Sequence, residues 1–214
     1  NYLPGVPEGS DLCITPVSAP ENHYVRIKAD NRLDADGTLR GTFTLTAEGQ
    51  SDSNIRRIFT TGFQSEWKST MERQLLAISP KARLLSVDYG KNPKYYQAAP
   101  IKITFRYEIP DYALRGEGEM FFRPMVMNNL YNQVRSYMWI DTSVENRKYG
   151  FKDGCSRLVE LDETIQLPAG YKLVSAAKDE TMQGVGADFE GSLVQKGNKV
   201  LLHNRLALKK RVYE

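Results

Sequence analysis

Hydrophobic and polar residues alternate most plainly over residues 37–57. There Leu39, Gly41, Phe43, Leu45 and Ala47 interleave with Arg40, Thr42, Thr44 and Thr46. A period of two turns one face of a strand inward. Gly49-Gln50-Ser51-Asp52 interrupts it, and Ile55, Ile58 and Phe59 follow at helical spacing. Upstream, Val25, Ile27 and Ala29 alternate with Tyr24, Arg26 and Lys28, and Asp34-Ala35-Asp36-Gly37 turns the chain between the two strands, predicting a β-hairpin.

The helical spacing then continues. Ser51 or Asp52 is positioned to cap a first helix that stops near Gly62, and Ser65 to cap a second. In the second, Trp67, Met71, Leu75 and Ile78 form an amphipathic stripe ending before Pro80, which reads as core packing and not as a cofactor box. Beyond Pro80 the period returns to two. Leu85, Val87 and Tyr89 mark one strand, and Ile101, Ile103, Phe105, Tyr107 and Ile109 mark a longer one closed by Pro110. A short strand is predicted over 117–123. Residues 125–140 fit neither period, and predict a loop or helical turn followed by a strand over 136–140. Strands follow over 159–167 and 171–177, with Leu167-Pro168-Ala169-Gly170 as the turn between them. A last pair, 184–195 and 199–213, turns at Lys196-Gly197-Asn198; Val200, Leu202, Leu206, Leu208 and Val212 share one face of its second strand, which Asn204 interrupts.

Many short strands with two helices predict a mainly β fold: an antiparallel β-sandwich, jelly-roll-like, with a two-helix insertion near residues 51–78. Pro4, Pro7, Pro16 and Pro20 make residues 1–21 an extended lead-in, residues 22–214 the domain, and the polar Glu145-Asn146-Arg147 a sub-boundary within it.

Composition narrows function mainly by exclusion. The chain has 214 residues, 41% hydrophobic and 26% charged, ordinary values for a globular protein. A net charge of +3 without an Arg/Lys stripe argues against nucleic acid as a partner, and Lys209-Lys210-Arg211 reads as a solvated strand end. No apolar run approaches the ~20 residues that span a bilayer. The Asn1-Tyr2-Leu3-Pro4 start has no signal-peptide pattern, and a start without methionine is expected of a fragment or a processed chain.

Candidate chemistry is sparse. Cys13 and Cys155 lack metal-ligand spacing and stand either as separate thiols or as one long-range disulfide. With His23 or His203 either cysteine has the residue types of a nucleophile and its base, although a lone histidine in a strand is more often structural. Asp34, Asp36 and Gly37 imitate part of a calcium loop, but its first and twelfth positions would be Arg32 and Phe43, so a hairpin turn is expected and no metal. Glu108, Asp111, Glu117, Glu119, Asp141 and Glu145 include the carboxylates a glycosidase would need, without spacing that opposes any two. Tyr95-Tyr96, Tyr112, Phe121-Phe122, Tyr137 and Trp139, with Asn128-Asn129, Tyr131 and Asn132, offer the rings and amides of a glycan-binding face. Enrichment of aromatics in strands accounts for them as well.

Three stretches together resemble one family. Leu3-Pro4-Gly5-Val6-Pro7-Glu8-Gly9 followed by Asp11-Leu12-Cys13-Ile14 resembles the segment after the catalytic core in bacterial multidomain transglutaminase-like proteins. DADGTLRGTFTLTAEGQSDSNIRR resembles the start of their C-terminal all-β domain, and Ile165-Gln166-Leu167-Pro168-Ala169-Gly170-Tyr171 a recurring strand-turn-strand within it. In that family a papain-like Cys-His-Asp core precedes this module. The resemblance implies that the chain carries no catalytic residue or cofactor, because neither Cys13 nor Cys155 matches the nucleophile's setting. It also implies a partner in the core of the same polypeptide, a peptide or glycan as the positioned substrate, and a periplasmic or secreted parent from Gram-negative bacteria. The expected function is a non-catalytic structural or substrate-positioning module, with a carbohydrate-binding module as the alternative. No binding residue is assigned by the sequence.

Overall fold

The computed structural model describes residues 5–13, 15–95, 99–128, 148–176 and 178–213. After a largely exposed lead-in and a 3-10 turn at Pro20–His23 come β1 (Tyr24–Leu33) and β2 (Leu39–Ala47), then α1 (Gly49–Thr60) and α2 (Trp67–Leu76). Next are β3 (Arg83–Asp88), β4 (Ile101–Ile109), β5 (Leu114–Arg115), β6 (Met120–Phe121) and a 3-10 turn at Met125–Met127. The chain ends with β7 (Phe151–Lys152), β8 (Arg157–Gln166), β9 (Glu180–Gln183), β10 (Ala187–Lys196), β11 (Lys199–Leu208) and β12 (Val212–Tyr213).

The fold is mainly β with the two-helix insertion that the pattern predicts, and is consistent with a β-sandwich carrying that insertion. Eight strands form one sheet in the order β3-β4-β2-β1-β8-β11-β10-β9; β12–β7 and β5–β6 pair separately. All neighbours in the large sheet are antiparallel except β1 and β8, which run parallel from Tyr24 opposite Leu158 to Arg32 opposite Gln166. The predicted alternation decides the faces. Val25, Ile27, Phe43, Leu45, Ile103, Phe105, Leu161 and Ile165 are buried on the inner face, where Phe43 and Phe105 stack with ring centroids 4.2 Å apart. Ile55 and Phe59 of α1 and Trp67, Met71 and Leu75 of α2 join the same core, as do Met125 and Val126. The opposite face is polar: Arg26 forms an ion pair with Glu160 and Arg40 with Asp34 and Glu108, while His203 hydrogen-bonds with Asp162. An antiparallel sheet tolerates water on one face in this way.

Several expectations need correction. Glu48, and not Ser51 or Asp52, flanks the start of α1. Ser51 lies in the first turn, where its hydroxyl donates to the His23 carbonyl at 3.0 Å. Ser65 sits in a 3-10 turn ahead of α2 and caps nothing. A β-bulge between Leu84 and Ser86 turns Leu85 outward, so Leu84 and Val87 carry β3's inward contacts. The strand predicted over 117–123 shrinks to the two residues of β6, and 171–176 form no ladder; the next strand is β9. The predicted last strand is divided, since β11 ends at Leu208 and β12 pairs with β7 instead. The strand predicted over 136–140 and the sub-boundary near 145 lie outside the described residues.

Candidate functional site: an apolar cleft beside the sheet end

A deep cavity lies where β1 and β8 end. Pro110 stops β4, and the short β5–β6 hairpin folds back through a turn closed by Gly116 N donating to Glu119 O at 3.0 Å. This hairpin and Phe122 to Pro124 form one wall. The other wall begins where β8 stops: Leu167 N donates to Asn198 O at 2.8 Å, and a turn follows in which Tyr171 N reaches Pro168 O at 3.2 Å. Gly170 supplies the left-handed conformation that this turn needs, with φ at +84°. From there residues 171–175 run alongside β10, with Leu173 N donating to the Gln195 side-chain oxygen at 2.7 Å. Leu33 and Leu193 also line the space between the walls, which amounts to about 700 Å3.

The lining is chiefly apolar, from Met120, Phe121, Phe122, Leu167, Leu173 and Val174. Phe121 is 61% exposed and Val174 91% exposed, large apolar side chains presented to solvent at one place. Glu119, Lys172, Ser175 and Tyr171 are the charged and hydroxyl-bearing residues around it. A concave apolar site of this size with a few polar groups has the anatomy of a ligand pocket.

Of the sequence candidates Glu119, Phe121 and Phe122 line the cleft, and the others among the described residues fall elsewhere. Cys13 and Cys155 are free thiols: the Cys13 thiol donates to Asp11 O, and the Cys155 sulfur accepts from Arg157. Among the described residues no cysteine–histidine hydrogen bond forms. His23 Nδ1 accepts from Gln50 N at 3.1 Å, at the N-terminus of α1. Burial, and then the nearby Arg157 charge, push its pKa below the ordinary histidine value, consistent with this acceptor role. His203 Nδ1 lies 2.7 Å from Asp162 on the outer face, with Ser192 opposite His203 in the neighbouring strand. No hydrogen bond joins Ser192 to that ring among the described residues. Asp34 and Asp36 serve the hairpin turn, and accept from Arg32 and from Thr38 N respectively. Glu108 pairs with Arg40 and Arg83, and Asp111 with Lys81. Glu117 lies in the β5–β6 turn region, and Asp141 and Glu145 lie outside the described residues.

The aromatic group does not assemble as one patch. Tyr112 bonds to Arg123 O and accepts from Asn128 at 2.9 Å. Tyr95 is exposed on the loop beside α1. Phe121 and Phe122 alone of those named line the cleft, while Tyr96, Asn129, Tyr131, Asn132, Tyr137 and Trp139 lie outside the described residues. Sequence reading missed the cleft's second wall. Its available signal was the strand-like alternation after Pro168-Ala169-Gly170.

A polar cluster near the 3-10 turn at Met125–Met127 sits on the inner face of the sheet. Glu163, 2% exposed, accepts from Asn31 Nδ2 at 2.6 Å and from Val126 N at 3.0 Å, and Tyr107 donates to Asn31 Oδ1 at 2.5 Å. Desolvation raises the Glu163 pKa above the ordinary carboxyl value, against the lowering effect of those donors. The folded state therefore holds this proton to higher pH than the unfolded chain does. The cost of burying the charge is absent below the unfolded value of ~4.3 and grows as pH rises towards the folded one. Urea unfolding of the wild type and of Glu163→Gln at pH 5 and pH 7.5 should show the wild type gaining relative to the variant at pH 5. A constant difference would show that Glu163 does not titrate in this range.

Residues 118–214 match the family model of a domain of unknown function, DUF3858, and are similar to it from the β5–β6 turn to the end of the chain. No curated protein and no solved structure matches the chain.

Proposed function

We propose that this chain is a non-catalytic accessory module of a transglutaminase-like protein with a papain-type core, and that it holds a peptide segment of the substrate in its apolar cleft. The observation that carries this reading is the cleft itself: about 700 Å3, walled by Phe121, Phe122, Leu173 and Val174. The sequence resemblance, over the lead-in, the β1–β2 region and residues 165–171, also supports it. Export to the periplasm or the cell exterior belongs to the same proposal. A peptide fits better than a glycan, because sugars are held by aromatic faces together with several amide or carboxylate partners, and this lining, with the rings of Phe121, Phe122 and Tyr171, supplies one carboxylate and no side-chain amide.

The chain incubated alone with casein and with glutamine- and lysine-containing fluorogenic peptides should give no cleavage or cross-linking above buffer. Turnover would overturn the non-catalytic reading. Phe121→Asp should weaken binding of a fluorescein-labelled leucine-rich peptide about tenfold or more, the loss expected when one large ring no longer buries its apolar surface. Binding of soluble cell-wall polysaccharide in place of the peptide would transfer the cleft to the carbohydrate class.

A further inference from the structure

Both walls of the cleft are stretches whose sequence predicts a strand and whose backbone is not fully paired. Over 117–123 only Met120 and Phe121 enter a ladder, with β5 on one side. Over 171–176 there is no ladder, yet the chain keeps the habits of one. Tyr171 and Leu173 are half-buried, and their amides are satisfied by Pro168 O and Gln195 Oε1. Lys172 and Val174 between them are exposed and, among the described residues, their amides donate to nothing. Over Tyr171 to Val174 burial and amide bonding thus alternate, as in an extended segment with one bonded edge and one open edge, before the exposed Ser175 and Ala176. Glu180 to Gln183 contrast with this wall, since β9 does take its place in the sheet beside β10.

From this we infer that the cleft binds an extended peptide as an added β-strand, the Lys172 and Val174 backbone forming the ladder and bulky apolar side chains at alternate peptide positions entering the cavity. The inference rests on the peptide-holding reading above and gives it a ligand class: neutral, extended, apolar at every second residue. Main-chain bonds then supply affinity, and the Phe121, Phe122 and Leu173 lining supplies side-chain preference. A single tight salt bridge is not required, as the nearby charges are the isolated Glu119 and Lys172.

The test is fluorescence anisotropy with the fluorescein-labelled peptide Thr-Leu-Thr-Leu-Thr, carboxamide-terminated, and two backbone-methylated forms of it. One form carries N-methyl groups on both leucine amides, the other on the second and third threonine amides. A peptide paired along one edge uses alternate amides. One methylated form should therefore bind at least tenfold more weakly, and the other within about twofold of the parent peptide. Val174→Pro, which removes an outward amide at a 91% exposed position, should cost a comparable factor while leaving the far-ultraviolet circular dichroism unchanged. No binding, or equal loss with both methylated forms, overturns strand addition. The methylated peptides leave the protein unaltered, so this outcome stands even if the proline variant misfolds. Turnover by the isolated chain would remove the non-catalytic reading without touching this result.

Discussion

Arg56→Ala should lower the free energy of unfolding by about 3–5 kcal/mol, the range seen when one partner of a buried ion pair is removed. Asp52 and Arg56 are both buried, one helical turn apart in α1, with Nε donating to Oδ2 at 2.6 Å. Each side chain also reaches outside the helix. Arg56 donates to the carbonyls of Tyr95 at 2.8 Å and of Pro93 and Ala99 at 3.3 Å. Asp52 Oδ1 accepts from Ile101 N at 2.7 Å, the first amide of β4. The pair therefore fastens the β3–β4 connection to the helix, and truncating the arginine leaves a buried carboxylate with its main donor gone. Urea denaturation of Arg56→Ala beside the surface control Arg83→Ala is the measurement; the control should stay within about 0.5 kcal/mol. The double variant Asp52→Asn/Arg56→Met should cost less than the two single changes added together, because it removes the uncompensated charge. An Arg56→Ala loss no larger than the control's would mean that the pair is a surface contact in solution.

The same pair shows what was legible in the sequence and what was not. β4 could be read because Ile101 to Ile109 alternate without a fault, and the structure returns those nine residues as the strand. The stripe Trp67, Met71, Leu75 was equally plain, and all three are buried. Asp52 was misread as a cap because an acidic residue near a helix start has one local appearance whether it caps, or is buried against a partner 49 positions away at Ile101. The parallel neighbours β1 and β8 lie more than a hundred residues apart, and no local period reports such a pairing. Glu163 occupies an inward position between Leu161 and Ile165, an exception that alternation alone does not justify and that Asn31 and Val126 N explain. The cleft was half legible. Its two walls carried strand patterns, but only the arrangement of the β5–β6 hairpin against residues 167–175 makes a cavity of them.

Gly41→Ala should be the second large loss, about 2–6 kcal/mol, and its reason lies in register. Gly41 stands opposite Asn31 in β1 and Tyr107 in β4, on the inner face of the sheet. A Cβ there would lie 2.0 Å from Asn31 Oδ1 and 2.3 Å from the Asp30 carbonyl oxygen. The cost is one of space, since overpacking a close-packed core takes about 1–3 kcal/mol. Asn31 has no free direction in which to yield, because Nδ2 is committed to Glu163 and Oδ1 to the Tyr107 hydroxyl. Moving it breaks a buried network and strands donors or acceptors, at about 1–3 kcal/mol more. In the alternation Leu39-Gly41-Phe43 the glycine looks like a weak member of an apolar face, whereas its missing side chain is what admits the polar cluster. This argument also fixes a pH signature. A displaced Asn31 takes one donor from the Glu163 carboxylate, which raises its pKa further and makes the charged form costlier. The loss on Gly41→Ala, measured by urea unfolding, should therefore be larger at pH 7.5 than at pH 5, whereas an equal loss at both would assign the whole effect to crowding.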